Sequence, residues 1–329
     1  MRFAKVLASA VVVNLVAVGD AGLFHAAHAQ DFPSRTVTIV VPIPPGGGPD
    51  IFGRLIAQRL AAGLGKPVIV DNRPGATGDI GAEVVARAAP DGHTVLYTTA
   101  VLVLRQVVSP KPALDPQRDL APVSMTLRHP WFLVAHPSLP VRNVKDLLAL
   151  GKAKPGDLTF GGGGIGGALH LAVELFKLDT KLDARYIPYQ GAPRAQVALL
   201  SGEVQLAFLG SPVVRPHVSS GKMRALGVSA LKRSSALPEV PTLHEAGVKD
   251  FEVLNWYGFF VPVKTPAATV TRIHAEVVKA LAAPEMKERA ATEGFELVGS
   301  STPSDFAAFF RSEVKKWSEV VQRSGTKFE

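Results

Sequence analysis

The stretch VTIVVPIPPGGGPDIFGRLIAQRL, Val37–Leu60, reads as strand, glycine-rich turn and helix. Val37, Ile39 and Val41 alternate with Thr38 and Val40 in a β-branched run, which Pro42 ends. Ile51, Phe52, Leu55, Ile56 and Leu60 then follow at helical spacing. Three successive glycines, Gly46–Gly48, let the backbone turn sharply and let another molecule approach its N–H groups. Asp50 suits the N-cap of the helix, where a carboxylate accepts an otherwise unpartnered N–H. The positive end of such a helix favours an anion. Two readings stand side by side: an anion-recognising loop, and a tight strand-to-helix turn without a ligand.

The same layout recurs downstream. Leu158–Phe160 is a strand, Gly161–Gly167 (GGGGIGG) a loop, and Leu171, Leu175 and Leu178 fall in phase on a following helix. Between and beyond these units strands alternate with helices: strands at Pro67–Val70, Thr94–Thr99, Trp131–Ala135, Tyr186–Tyr189, Val204–Leu209, Arg224–Ser229 and Tyr257–Val261, helices at Gly81–Ala89, Val144–Ala153, Ala195–Leu200, Ala267–Ala282 and Pro303–Gln322. The proline-bearing 114–122 reads as a connection. Alternation of this kind implies mostly parallel sheets flanked by helices, an α/β chain of two lobes facing one cleft.

Met1–Ala29 is expected to be a signal peptide. Arg2 and Lys5 precede the apolar run Val6–Val18, and Ala27-His28-Ala29 fits a small-x-small cleavage site. The remaining chain has room for about two domains. The formal net charge of +8 fits an anionic partner. Nucleic acid is disfavoured, because the basic residues are scattered and aromatics make up only 7% of the chain. The absence of cysteine excludes disulfides, thiolate metal sites and cysteine nucleophiles.

Other chemistries are weakly supported. Gly161–Gly166 satisfies G-x-G-x-x-G, with Asp179 and Asp183 near the spacing of a ribose-binding acid, but so glycine-rich a run satisfies many patterns and export removes it from a dinucleotide pool. His170 and Glu174, four apart on a helix, are half of a metal site or a helix-surface pair. Ser229-Ala230-Leu231-Lys232 fits a Ser-Lys pattern without its companion motifs. No nucleophile, base and oxyanion hole assemble, so the residues leave an enzyme unsupported without excluding it, and no cofactor or metal is expected. Arg194, after Gly191-Ala192-Pro193 at a helix start, is placed to grip a carboxylate or to sit exposed.

Taken in order, these stretches resemble the Bug family, the periplasmic solute receptors of tripartite tricarboxylate transporters. The resemblance runs from Phe32-Pro33-Ser34-Arg35 through Pro44–Asp50, Asp71–Gly75, Pro90-Asp91-Gly92, His136–Pro140, Gly161–Glu174, Pro188–Gly191, Leu199–Val204, Pro238–Gly247 and Gly294–Ser300. It implies a non-catalytic, two-lobed periplasmic binding protein of the type II, Venus-flytrap form. A small carboxylate would lie in the cleft, and the partners would be the large and small integral membrane transporter subunits. Lobe 1 is then expected over 30–128 plus 230–329 and lobe 2 over 129–229, although the return point could lie near Tyr257. The first-lobe ligand loop maps to Pro45, Gly46, Gly47, Gly48, Pro49 and Asp50. The second maps to Gly162, Gly163, Gly164, Gly166, Gly167 and His170, with Gly191, Arg194 and the strand ends Thr99 and Gly210 completing the candidate set. Departures matter here: Pro49 stands where Thr or Ser is usual, and Gly162 and Gly167 where serines are. Arg194 replaces a usual proline, while Ala198 and Gln205 replace usual acids. Fewer hydroxyls, fewer acids and one extra cation, Arg194, point to a more electron-rich or less hydroxylated anion, such as a simple aliphatic or aromatic carboxylate. An exported sensor feeding a signalling pathway, and an exported hydrolase or oxidoreductase, are the alternatives.

Overall fold

The computed structural model describes residues 32–75, 78–109 and 114–326. The expected signal segment Met1–Ala29 lies outside them. The elements run β1 (Val37–Val41), α1 (Gly48–Leu64), β2 (Val68–Asn72), α2 (Asp79–Ala86), β3 (Thr94–Thr99), α3 (Val101–Val108), α4 (Pro116–Asp119) and β4 (Leu120–Ala135). Then come α5 (Val144–Ala153), β5 (Leu158–Gly162), α6 (Ala168–Thr180), β6 (Ala184–Pro188), α7 (Ala192–Ser201), β7 (Leu206–Gly210), α8 (Ser211–Ser219) and β8 (Arg224–Val228). The chain returns through β9 (Leu254–Pro262), α9 (Ala267–Leu281), α10 (Pro284–Glu293), β10 (Glu296–Leu297) and α11 (Pro303–Ser324).

The strands lie in the order β2-β1-β3-β9-β4-β7-β5-β6, with β8 and β10 also paired to β4. Each end is parallel, as alternation predicts: β1 pairs with β2 and β3, and β5 with β6 and β7. The centre is antiparallel, because β9 runs against both β3 and β4, and β4 against β7 and β8. Strand β4 joins the two halves. Its residues Leu120–Pro130 pair with β9, whereas Trp131–Ala135 pair with β7 and β8. This corrects the expectation of a loop over 114–122 followed by a short strand at Trp131. Prolines disguise the strand, since Pro122 sits at a register shift against β9 and Pro130 at the handover between partners, two places where a missing N–H costs no regular ladder bond.

Alternate strand residues enter opposite cores. Val37, Ile39 and Val41 of β1 pack with Phe52 and Ile56 of α1 and Val277 of α9. Val134 and Phe132 of β4 pack with Leu199 and Val214 in a third cluster. On the opposite face, one larger core is continuous across both halves. It joins Val40 and Leu96 to Leu133, Phe160 and Phe208, and Trp256 to Phe306, Phe310 and Trp317. Helix α11 closes this side. Its start is a capping box between Thr302 and Asp305, and its Glu313 carboxylate accepts from the indoles of Trp256 and Trp317 at 3.3 and 3.2 Å. Near its end, Thr326 donates to the buried Glu174 of α6 at 3.0 Å.

Candidate functional site

Both glycine loops are built by one device. In α1, Gly46 takes a positive φ of 87°, Gly47 is the N-cap, and the Asp50 carboxylate in the first turn accepts the Gly46 N–H at 2.9 Å. In α6, Gly166 takes φ 74°, Gly167 is the N-cap, and His170 Nδ1 accepts the Gly166 N–H at 3.0 Å. Asp50 is therefore not the N-cap that its position suggested. The helix begins earlier, with Pro49 in its first turn, where the missing N–H has no intrahelical acceptor in any case. Burial alone would raise the Asp50 carboxyl, but the Gly46 N–H and the Arg54 guanidinium hold it below the usual carboxylate range. Asp50 and His170 thus shape the loops from within, and neither lines the cavity described below.

The second loop has a further clamp. The His170 ring stacks on Tyr186, 4.1 Å between centroids, and the Tyr186 hydroxyl donates to the Gly163 carbonyl at 2.5 Å. A Cβ at Gly162 would overlap that hydroxyl, which is why this position is glycine. Glu174 lies 3.8 Å from His170 but accepts from Lys177 at 2.9 Å, so the pair forms a buried helix network. Among the described residues no group of acids and histidines is placed to hold a metal. Ser229 is likewise structural. Its buried hydroxyl accepts the Trp131 N–H at 2.9 Å and donates to the Val253 carbonyl at 2.5 Å.

Between the two halves lies a cavity of about 440 Å³. Gly46, Gly48, Ile51 and Phe52 come to it from the first loop and α1, Leu169 from α6, Ala192, Pro193 and Gln196 from α7, and Leu209, Gly210, Pro212 and Val213 from the junction of β7 and α8. The floor is His129 and Trp131 of β4, with Asn255 and Tyr257 of β9, and Glu293 and Phe295 close one side. First-turn or N-cap residues of four helices therefore line one space, where helix dipoles favour negative charge.

Of the sequence-derived candidates, Gly46, Gly48 and Gly210 line this cavity. Pro45, Gly47, Pro49, Asp50 and Gly162, Gly163, Gly164, Gly166, Gly167 and His170 build the two loops without lining it. Gly191 caps α7 with φ 90°, while Arg194 is exposed on the first turn of that helix, outside the lining. Thr99 ends β3 opposite Tyr257, and its hydroxyl accepts the Val101 N–H at 3.3 Å. The aromatic walls were missed by sequence reasoning. Their signal was present in His129-Pro130-Trp131 and Asn255-Trp256-Tyr257, polar and aromatic residues at alternate positions around the place where β4 changes partners.

His129 anchors the floor. It is 3% exposed, stacks on Phe295 at 4.3 Å and meets Trp131 edge-on at 4.8 Å. Burial pushes its pKa down to about 4, so the ring is neutral near pH 7. Its Nδ1 lies 3.3 Å from the Pro130 carbonyl and its Nε2 3.1 Å from the Asn255 amide nitrogen, which fits a ring donating through Nδ1 and accepting through Nε2. Beside it, the indole Nε1 of Trp131 is buried and has no hydrogen-bond partner among the described residues. Tyr257 carries its hydroxyl close to Gly48, and burial raises its pKa, keeping it protonated as a donor.

The model of the tripartite tricarboxylate transporter family receptor matches residues 52–326. BugT of Bordetella pertussis is 34% identical over 312 residues, covering 94% of this chain and 95% of that protein. Two solved structures share the fold over nearly their whole length. The R. palustris protein Rpa4515 with adipate is 33% identical with a TM-score of 0.78, covering 90% of this chain and 99% of that one. MatC from Rhodopseudomonas palustris with bound malate is 31% identical with a TM-score of 0.76, covering 88% and 100%.

Proposed function

Because the chain belongs to the tripartite tricarboxylate transporter receptor family, we propose that it captures a small carboxylate in the cavity between its two halves and presents it to integral membrane transporter subunits, one large and one small. The observation that carries this reading is the convergence of four helix N-terminal regions on one apolar cavity. A carboxylate placed there would accept backbone N–H groups at the helix starts, and excluding water would strengthen each contact. Solved structures of similar chains hold adipate and malate, which supports a carboxylate here.

In this reading the two halves act as lobes that hinge shut. We place the crossings at Pro130 on β4 and at Leu254, where β9 begins opposite it. The segment 230–253, which the sequence reading gave to lobe 1, then moves with lobe 2. It is tied there by the Val228–Thr242 bridge and by the bond from Val253 N–H to the Ser229 carbonyl at 2.8 Å. Export through Met1–Ala29 would deliver the chain to the periplasm. Among the described residues no helix is long and apolar enough to cross a membrane.

Mass spectrometry of the small molecules released by denaturing purified protein tests the proposal. Recovery of a chemically unchanged carboxylate is expected. Release of a nucleotide or of a converted product, with no carboxylate bound, would contradict it.

A further inference from the structure

The cavity's own chemistry narrows the ligand class, on the premise that the receptor reading above is right. Its walls carry five rings, Phe52, His129, Trp131, Tyr257 and Phe295, in mutual edge or stacked contact. Among the described residues no lysine or arginine lines it. The acid at its rim, Glu293, is ion-paired with Arg289. With only helix starts to offset negative charge, a ligand with two or three carboxylates leaves more charge facing apolar walls than a single carboxylate does, which is unfavourable.

Among side-chain hydroxyls of the described residues, only that of Tyr257 is in the lining. Among the described residues no serine or threonine lines the space, and the nitrogens of the two amides that do each face a histidine. The Gln196 amide nitrogen lies 3.2 Å from His217, and that of Asn255 lies 3.1 Å from His129. The Nε1–H of Trp131, a residue that lines the cavity, is buried with no acceptor among the described residues, and its burial costs free energy until an acceptor arrives.

We propose that the ligand is an aromatic monocarboxylate. Its ring lies among Phe52, Trp131, Tyr257 and Phe295, where offset and edge-on packing stabilise it beyond simple area burial. Its single carboxylate accepts from the Trp131 indole and from first-turn N–H groups of the surrounding helices. A volume of about 440 Å³ accommodates one substituted ring and its carboxylate.

Isothermal titration of ligand-stripped, refolded protein with benzoate, adipate, malate and neutral benzamide tests this. Benzoate is expected to bind at least tenfold more tightly than adipate, malate or benzamide. Malate or adipate binding as tightly as benzoate overturns the aromatic class and leaves the receptor reading standing. Failure of all three carboxylates, in protein whose circular dichroism is native, counts against the receptor reading itself. Trp131→Phe keeps a ring and removes the donor. It is expected to weaken benzoate about tenfold, the loss of one hydrogen bond to a charged group, with little change for benzamide. Unchanged benzoate affinity in that variant removes Trp131 as the carboxylate donor and overturns that part of the proposal.

Discussion

His129 couples the floor of the cavity to pH. Its neutral ring is fixed between Pro130 and Asn255 and covered by Phe295 and Trp131. In the unfolded chain a histidine titrates near pH 6.5, whereas this one titrates near 4. Above about pH 6.5 both states are neutral and the residue adds no pH dependence. Between about 6.5 and 4 the unfolded chain binds a proton that the folded protein refuses, so stability falls as pH falls. Between pH 7 and pH 4.5 this single group should remove about 2–3 kcal/mol. Urea denaturation of wild type and His129→Gln at the two pH values checks it. The variant should lose that much less stability over the interval, and equal losses would show that His129 is not held neutral.

At the scale of elements, the junction of β4, β8 and β9 depends on Ser229, whose hydroxyl serves the Trp131 N–H and the Val253 carbonyl together. Ser229→Ala strands two buried backbone groups and should cost about 1–3 kcal/mol, read as a lower urea midpoint. A neutral result would mean that water or backbone movement replaces the hydroxyl. These same elements show what the sequence could tell. Strand β3 and helix α5 were legible to the residue, over Thr94–Thr99 and Val144–Ala153. Strand β4 was not, because Pro122 and Pro130 resemble strand breakers unless the partners they face are known. Helix α3 is built from Val101, Val103, Val107 and Val108, β-branched residues that suggest a strand; packing against α11 overrides that propensity. Polar, weakly amphipathic α10 gave too little periodicity to register. The glycine loops of the site could be read locally, whereas its aromatic walls depend on residues more than a hundred positions apart, such as His129 and Asn255, which only the sheet register brings together.

For the whole molecule, two separate cores lie under α1 with α9 and under α7 with α8, and a third runs unbroken through both halves beneath α11. In the receptor reading proposed above, bending would concentrate where β4 passes from β9 to β7 and β8. Small-angle scattering should show the radius of gyration falling when a bound carboxylate saturates the protein. An unchanged radius at saturation would mean that binding does not close the halves. The central claim, that this cavity receives a carboxylate, is tested most directly by thermal unfolding of ligand-stripped protein titrated with carboxylates. At one hundred times its dissociation constant a ligand stabilises the folded state by about 2.7 kcal/mol, a rise in Tm of about 5 °C for a chain of this size. A saturable rise of that order with at least one carboxylate, absent for its neutral amide, is the predicted result. A flat Tm across aromatic and aliphatic carboxylates alike would contradict it.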